Sequence, residues 1–293
     1  MGKTQNSVTS MNRTQQLTCG WLQQSSLTGE ALLLEALLRR GFLAYRDDQG
    51  VWLGTGSHSE DLDVLRLIDG LAIEPVTGHK ERMARIKLPS PVVSVIDVAI
   101  RIVGLPENRS FIGTADMPHS RRGTTWGAYR NMVWGNMVAV CPIRLIKERA
   151  LGYIALDLGV ALLVKTLPLA RVTTNGYSCD GHGRGRAKIL FGFPWDAIWG
   201  KVVFVALGTD TPNSTWDWHP ALHVAPLGGY GDEEVLGMLN DIQVFSRRLL
   251  QQGNIDRIGH ARTKTLMALG EATPTAEAFT HEAQRQLTVA LMD

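Results

Sequence analysis

Leu151-Gly-Tyr-Ile-Ala-Leu-Asp-Leu-Gly-Val-Ala-Leu-Leu-Val-Lys-Thr-Leu-Pro-Leu-Ala170 is the most hydrophobic window of this 293-residue chain, and its reading decides the fold. Its length suits a membrane span, but Asp157, Lys165 and Pro168 fall inside it. A charge near the middle of a span costs about 2.5–3.5 kcal/mol on insertion scales. The window is therefore expected to be a helix buried at the centre of a protein core, with no membrane partner. A chain of 44% hydrophobic and 20% charged residues has the material for such a core, in one large domain or two smaller ones.

Immediately after this window, Arg171 to Lys188 reads Arg-Val-Thr-Thr-Asn-Gly-Tyr-Ser-Cys-Asp-Gly-His-Gly-Arg-Gly-Arg-Ala-Lys, and the apolar run Ile189–Phe193 follows. A polar loop between two buried elements is how active-site loops are usually mounted. Cys179, Asp180 and His182 bring a thiol, a carboxylate and an imidazole into this one stretch and are the candidate catalytic residues. The Cys179-x-x-His182 spacing lets sulfur and imidazole meet one metal ion, or lets the imidazole lower the thiol pKa. Two ligands do not complete a site, so His79, His119, Cys141, His219 or His223 would have to join from elsewhere. The metal and any other cofactor stay open. Gly181, Gly183 and Gly185 permit close backbone approach, and Arg184 and Arg186 offer bidentate contacts to phosphate. The alternative is a glycine-rich turn between two strands with a solvated basic tip.

Two His-x-Glu triplets, His58-Ser-Glu60 and His79-Lys-Glu81, invite comparison with zinc deaminases, but Cys179 lacks the preceding proline and His182 replaces the second cysteine of that pattern. Ser178-Cys179-Asp180-Gly181-His182 is similar, over about five residues, to the Ser-Cys-Ser-Gly-Arg element of the wybutosine-synthesis methyltransferases acting on transfer RNA. That resemblance implies an RNA substrate and S-adenosylmethionine. Asp180 and His182 depart from the family's serine and arginine, and no second motif matches.

Charge is unevenly placed. Met117 to Trp195 carries eleven Lys or Arg against three acids, a surplus of eight, so the rest of the chain is net −6 within a total of +2. Clustered cations release condensed counterions when they meet phosphates, which points to a nucleic-acid partner, DNA or RNA. Within the window, Arg121, Arg122 and Arg130 alternate with Trp126, Tyr129 and Trp134, the mixture used to hold phosphates while stacking bases. Arg184, Arg186 and Lys188 extend the basic set. The other reading of Trp126 and Tyr129 is core packing. The expected function is nucleic-acid binding through this central region, as one subunit among other proteins of a larger complex. The alternatives are an enzyme acting on a nucleotide or phosphorylated substrate through Ser178–Arg186, and a structural or protein-interaction module.

The remaining sequence predicts an α+β fold: a small N-terminal helix–hairpin–helix unit, a central mixed helix and strand core, and a helical C-terminal third. Residues 1–16 are polar and read as a flexible N-terminus, 17–90 as a small α+β domain and 91–293 as the main domain. Thr28 caps a helix ended by Gly41; Phe42–Tyr45 and Val51–Leu53 flank a turn at Asp47–Gly50; Ser57 or Ser59 starts a helix bearing Leu62, Leu65, Leu67 and Ile68. The β-branched runs Val92–Ile96 and Val202–Ala206 predict strands. Helices are expected over Glu233–Gln252, Asp256–Leu269 and Thr275–Met292. Three scattered cysteines, Cys19, Cys141 and Cys179, argue for a reducing compartment, by default the cytoplasm.

Overall fold

The computed structural model describes residues 11–54, 57, 59–76, 82–88, 94–105, 108–110, 126, 129, 154–156, 158–172, 174–179, 186–191, 193–208, 211–219, 223–226, 231–251 and 253–292. The chain is an α+β protein with helices in its C-terminal part.

Helix α1 (Arg13–Gln24) begins inside the stretch read as flexible. A capping box starts it: Asn12 Oδ1 accepts from the Gln15 backbone at 2.9 Å, and Gln15 Oε1 accepts from the Asn12 backbone at 3.0 Å. Gln15 Nε2 also donates to the carbonyls of Val103 and Leu105, so a polar side chain helps to tie this end down, beside Met11, which packs against the core.

Helix α2 (Gly29–Arg40) follows its predicted bounds, with Thr28 at the N-cap and Gly41 in the left-handed region at φ 98°. A Cβ at Gly41 would lie 2.5 Å from the Ala161 Cβ, so both φ and close packing require glycine there. Strands β1 (Ala44–Asp47) and β2 (Gly50–Gly54) form the expected hairpin, with Asp47 Oδ1 accepting from the Gln49 backbone and Trp52 Nε1, each at 2.8 Å. Helix α3 (Ser59–Leu65) buries Leu62 and Leu65, and Ile68 just beyond it, whereas Leu67 is exposed. Two strands that the sequence pattern does not announce, β3 (Ala72–Pro75) and β4 (Arg82–Lys87), complete an antiparallel sheet in the order β1-β2-β4-β3.

Val95 and Ile96 belong to a helix rather than to the predicted strand. Helix α4 (Val95–Val103) buries Val98, Ala99, Ile102 and Val103, which recur at helical spacing and pack on α2. Packing has overridden the β preference of branched residues. The same holds at Val202–Ala206, which lies in helix α6 (Pro194–Leu207): Ile198, Trp199, Val202, Val203 and Leu207 are buried while Val205 is exposed.

The window that decides the fold divides into strand β6 (Ile154–Leu156), paired with β5 (Asn108–Ser110), helix α5 (Leu158–Thr166) and a 3₁₀ turn over Leu167–Ala170. All nine residues of α5 are buried, as expected of a central helix. At about 1.5 Å per residue it is too short for a hydrocarbon layer of about 30 Å. Among the described residues no helix is long and apolar enough to cross a membrane.

Strands β7 (Thr174–Cys179), β8 (Lys188–Phe191), β9 (Trp216–His219) and β10 (His223–Pro226) form a second antiparallel sheet, in the order β7-β8-β10-β9. Helices α7 (Asp232–Leu249), α8 (Asn254–Leu269) and α9 (Ala276–Met292) match the expected C-terminal third. Buried apolar residues from Cys19 to Leu287 form one cluster, in which α5 packs against α2 and α7.

Candidate functional site

Hairpin β7–β8 carries the chemistry-bearing loop. The strands pair antiparallel, with Thr174 opposite Phe191 and Cys179 opposite Lys188, and a register irregularity between Asn175 and Cys179. Cys179 thus ends one strand and Lys188 begins the next. Asp180, His182 and Arg184 lie outside the described residues, as do Arg121, Arg122, Arg130 and Trp134. Arg186 and Lys188 are exposed, while Ile189 and Phe191 are buried. Period-two alternation therefore puts Lys188 on the outer face of the sheet and anchors β8 through Ile189 and Phe191. Among the described residues neither Arg186 nor Lys188 is held in an ion pair.

Trp126 and Tyr129 are in the core, which corrects their reading as base-stacking residues. They are 1% and 0% exposed, respectively. The Trp126 ring lies 5.2 Å from Trp195 and 6.0 Å from Phe279, and its Nε1 donates to the Gly270 carbonyl at 3.0 Å. Tyr129 stands 5.2 Å from Phe193 and 5.1 Å from Trp195. Rings enclosed this way have no face left for a base. A spacing of three puts both on one side of a helical turn, and only the residues they meet on other elements decide that this side faces inward.

Beneath these rings lies a cluster that the sequence does not reveal. Arg262 on α8 donates through Nη2 to Asp196 Oδ1 on α6 at 2.5 Å and to the Tyr129 hydroxyl, all three residues being fully buried. The guanidinium also sits 5.4 Å from the Tyr129 ring and 5.3 Å from the Trp199 ring, within cation–π range. Burial pulls the Arg262 pKa well below the ordinary arginine value. In the same way Lys165 Nζ, in the last turn of α5, lies 2.8 Å from Asp61 Oδ1 on α3, with both side chains buried. Burial lowers the Lys165 pKa, against the opposing pull of Asp61. One cation of the basic window is thus answered inside the protein. The available signal was Lys165 itself, since a lysine in an otherwise apolar helix needs a partner.

The described residues hold no group of three or more His, Cys, Asp or Glu side chains arranged to take a metal ion. His219 and His223 are register partners across β9–β10, whereas His79, His119 and Cys141 lie outside the described residues. The Trp216-Asp-Trp-His element is a strand whose Trp216 and Trp218 rings pack 4.8 and 5.3 Å from Phe204. The loop before it is fixed by the buried Asp241 carboxylate, which accepts from the Asn213 backbone at 2.8 Å, the Ser214 backbone at 3.0 Å and Trp216 Nε1 at 2.9 Å. No family model, curated protein or solved structure matches this chain.

Proposed function

We propose that the protein binds nucleic acid through phosphate contacts from the basic β7–β8 hairpin, without stacking on Trp126 or Tyr129. The observation that carries this reading is the sorting of cations: Lys165 is buried against Asp61, while Arg186 and Lys188 are exposed beside the Arg184 loop. Arg121, Arg122 and Arg130 belong to the same basic stretch of the sequence and lie outside the described residues. Backbone contacts position a protein on nucleic acid but carry no base information, so binding is indifferent to sequence and steeply dependent on salt. Such a surface suits a subunit that coats or anchors nucleic acid within a larger assembly.

Fluorescence anisotropy with labelled single-stranded and duplex probes, across about 50 to 200 mM salt, tests the proposal. Log affinity should fall linearly with log salt, by about 0.9 per phosphate contact on B-DNA. Absence of binding at the lowest salt overturns it. A second reading, an enzyme acting on a nucleotide or phosphorylated substrate through Cys179, Asp180 and His182, is supported by the loop's mounting between two paired strands. Its test is the pH dependence of thiol alkylation in the wild type and in His182→Ala. An unchanged profile argues against it.

A further inference from the structure

A pocket of about 370 Å³ opens where α1 and α2 meet α7. Its volume lies within the range of small-molecule sites. Trp21, Leu27, Ala31 and Leu34 make an apolar wall. Opposite them, Asn240, Gln243, Val244 and Arg247 recur at helical spacing and present one face of α7 to the space.

The polar side has a charge imbalance. Glu35, nearly buried, accepts from Arg39 Nε at 2.9 Å and from Arg247 Nη2, so two guanidiniums share one carboxylate. Arg39 is held further by Asn240 Oδ1 at 2.5 Å and lies 3.7 Å from the centre of the Trp21 ring. Arg46 at the rim is paired with Glu30 at 3.4 Å and leaves the balance unchanged. Among the described residues, one positive charge is therefore in excess at the pocket. One buried donor of the lining, Gln243 Nε2, has no acceptor among those residues. Buried donors without acceptors are uncommon in folded proteins and call for an explanation such as a ligand.

We infer that this pocket binds a small monocarboxylate with a planar apolar body, its carboxylate against Arg247 and Gln243 and its body against Trp21 and Leu34. One surplus charge matches a monoanion, and the half-exposed Arg247 guanidinium keeps N–H groups available after its contact with Glu35. The site is separate from the β7–β8 hairpin, so its test does not depend on nucleic-acid binding.

Indole-3-acetate is a suitable probe, with indole-3-acetamide as its neutral counterpart and tryptamine as its cationic one, each titrated calorimetrically into the full chain. The acid should bind at least about tenfold more tightly than the amide, the gain of one charge-assisted contact, and tryptamine should not bind. Arg247→Gln should abolish the preference for the acid, Gln243→Leu should weaken the acid alone, and the distant Arg66→Gln should change neither. Equal affinity for acid and amide overturns the inference. So does an acid preference that survives Arg247→Gln, or no saturable binding by any probe.

Discussion

Two sets of cations divide this molecule. In the interior, Arg39, Lys165 and Arg262 are buried and each meets a carboxylate, Glu35, Asp61 and Asp196, respectively. On the β7–β8 hairpin, Arg186 and Lys188 stand in solvent. A linear count of charge treats the two sets alike, yet only the second can release counterions to a polyanion. Desolvation lowers the pKa of all three interior cations, and Glu35 and Asp61 oppose that fall for Arg39 and Lys165, so burial against a carboxylate ties these charges to the fold. Position in the core, not membership of a basic segment, separates structural cations from available ones.

The sharpest way to break this division is to remove an interior cation. Arg262→Met leaves Asp196 buried without its guanidinium and should cost about 3–5 kcal/mol in denaturant unfolding. Adding Asp196→Leu should recover much of that loss, because a well-packed apolar pair of similar volume can replace a buried ion pair. A cost below about 1 kcal/mol for the single variant would show that the interior pair is dispensable. Lys165→Met should cost about 3 kcal/mol on the same grounds, with Asp61 left behind. Because the folded-state pKa of Lys165 is lowered, the unfolded chain binds more protons between that value and the ordinary 10.5. Wild-type stability should therefore rise with pH through that window, and Lys165→Met should remove this component of the rise.

The surface set predicts the reverse pattern. Arg186→Glu combined with Lys188→Glu should change stability by no more than about 0.5 kcal/mol per site. A larger drop in stability would show that these side chains also serve the fold. The smallest effect is expected on α9, where the exposed Arg285 donates to Glu282 at 2.6 Å and holds its carboxyl below the usual range. A depressed carboxyl stabilises above its unfolded value and loses that contribution as pH falls through the folded pKa. Wild type and Glu282→Gln should therefore differ slightly at neutral pH and converge in acid, as read by thermal midpoints.

Elements set by local signals were legible in the sequence. Thr28 and Gly41 bracket α2, Asp47–Gly50 turns the first hairpin, and the three C-terminal helices carry their own periodicity and breaks. Elements decided by distant partners were not. Val95, Ile96 and Val202–Ala206 are helical because a neighbouring surface covers one side of them, and Arg13–Gln16 is ordered by a capping box and by carbonyls near residue 104. Of the candidate site, the strand–loop–strand mounting was readable from its apolar flanks. The inward placement of Trp126 and Tyr129 was not, since Trp195 and Phe279 lie far along the chain. Lys165 and Asp61 are 104 residues apart, and Arg247 and Glu35 are 212 apart, so no local pattern joins them.

The most direct test of the central claim is the salt dependence of nucleic-acid affinity in the wild type and in Arg186→Glu/Lys188→Glu, measured on one duplex probe. If the exposed hairpin meets the phosphates, the double variant should bind more weakly at low salt, and its log–log slope should be shallower by about one for each phosphate it no longer neutralises. An unchanged slope and affinity in a folded double variant would contradict the account and leave the hairpin's charge without a part in binding.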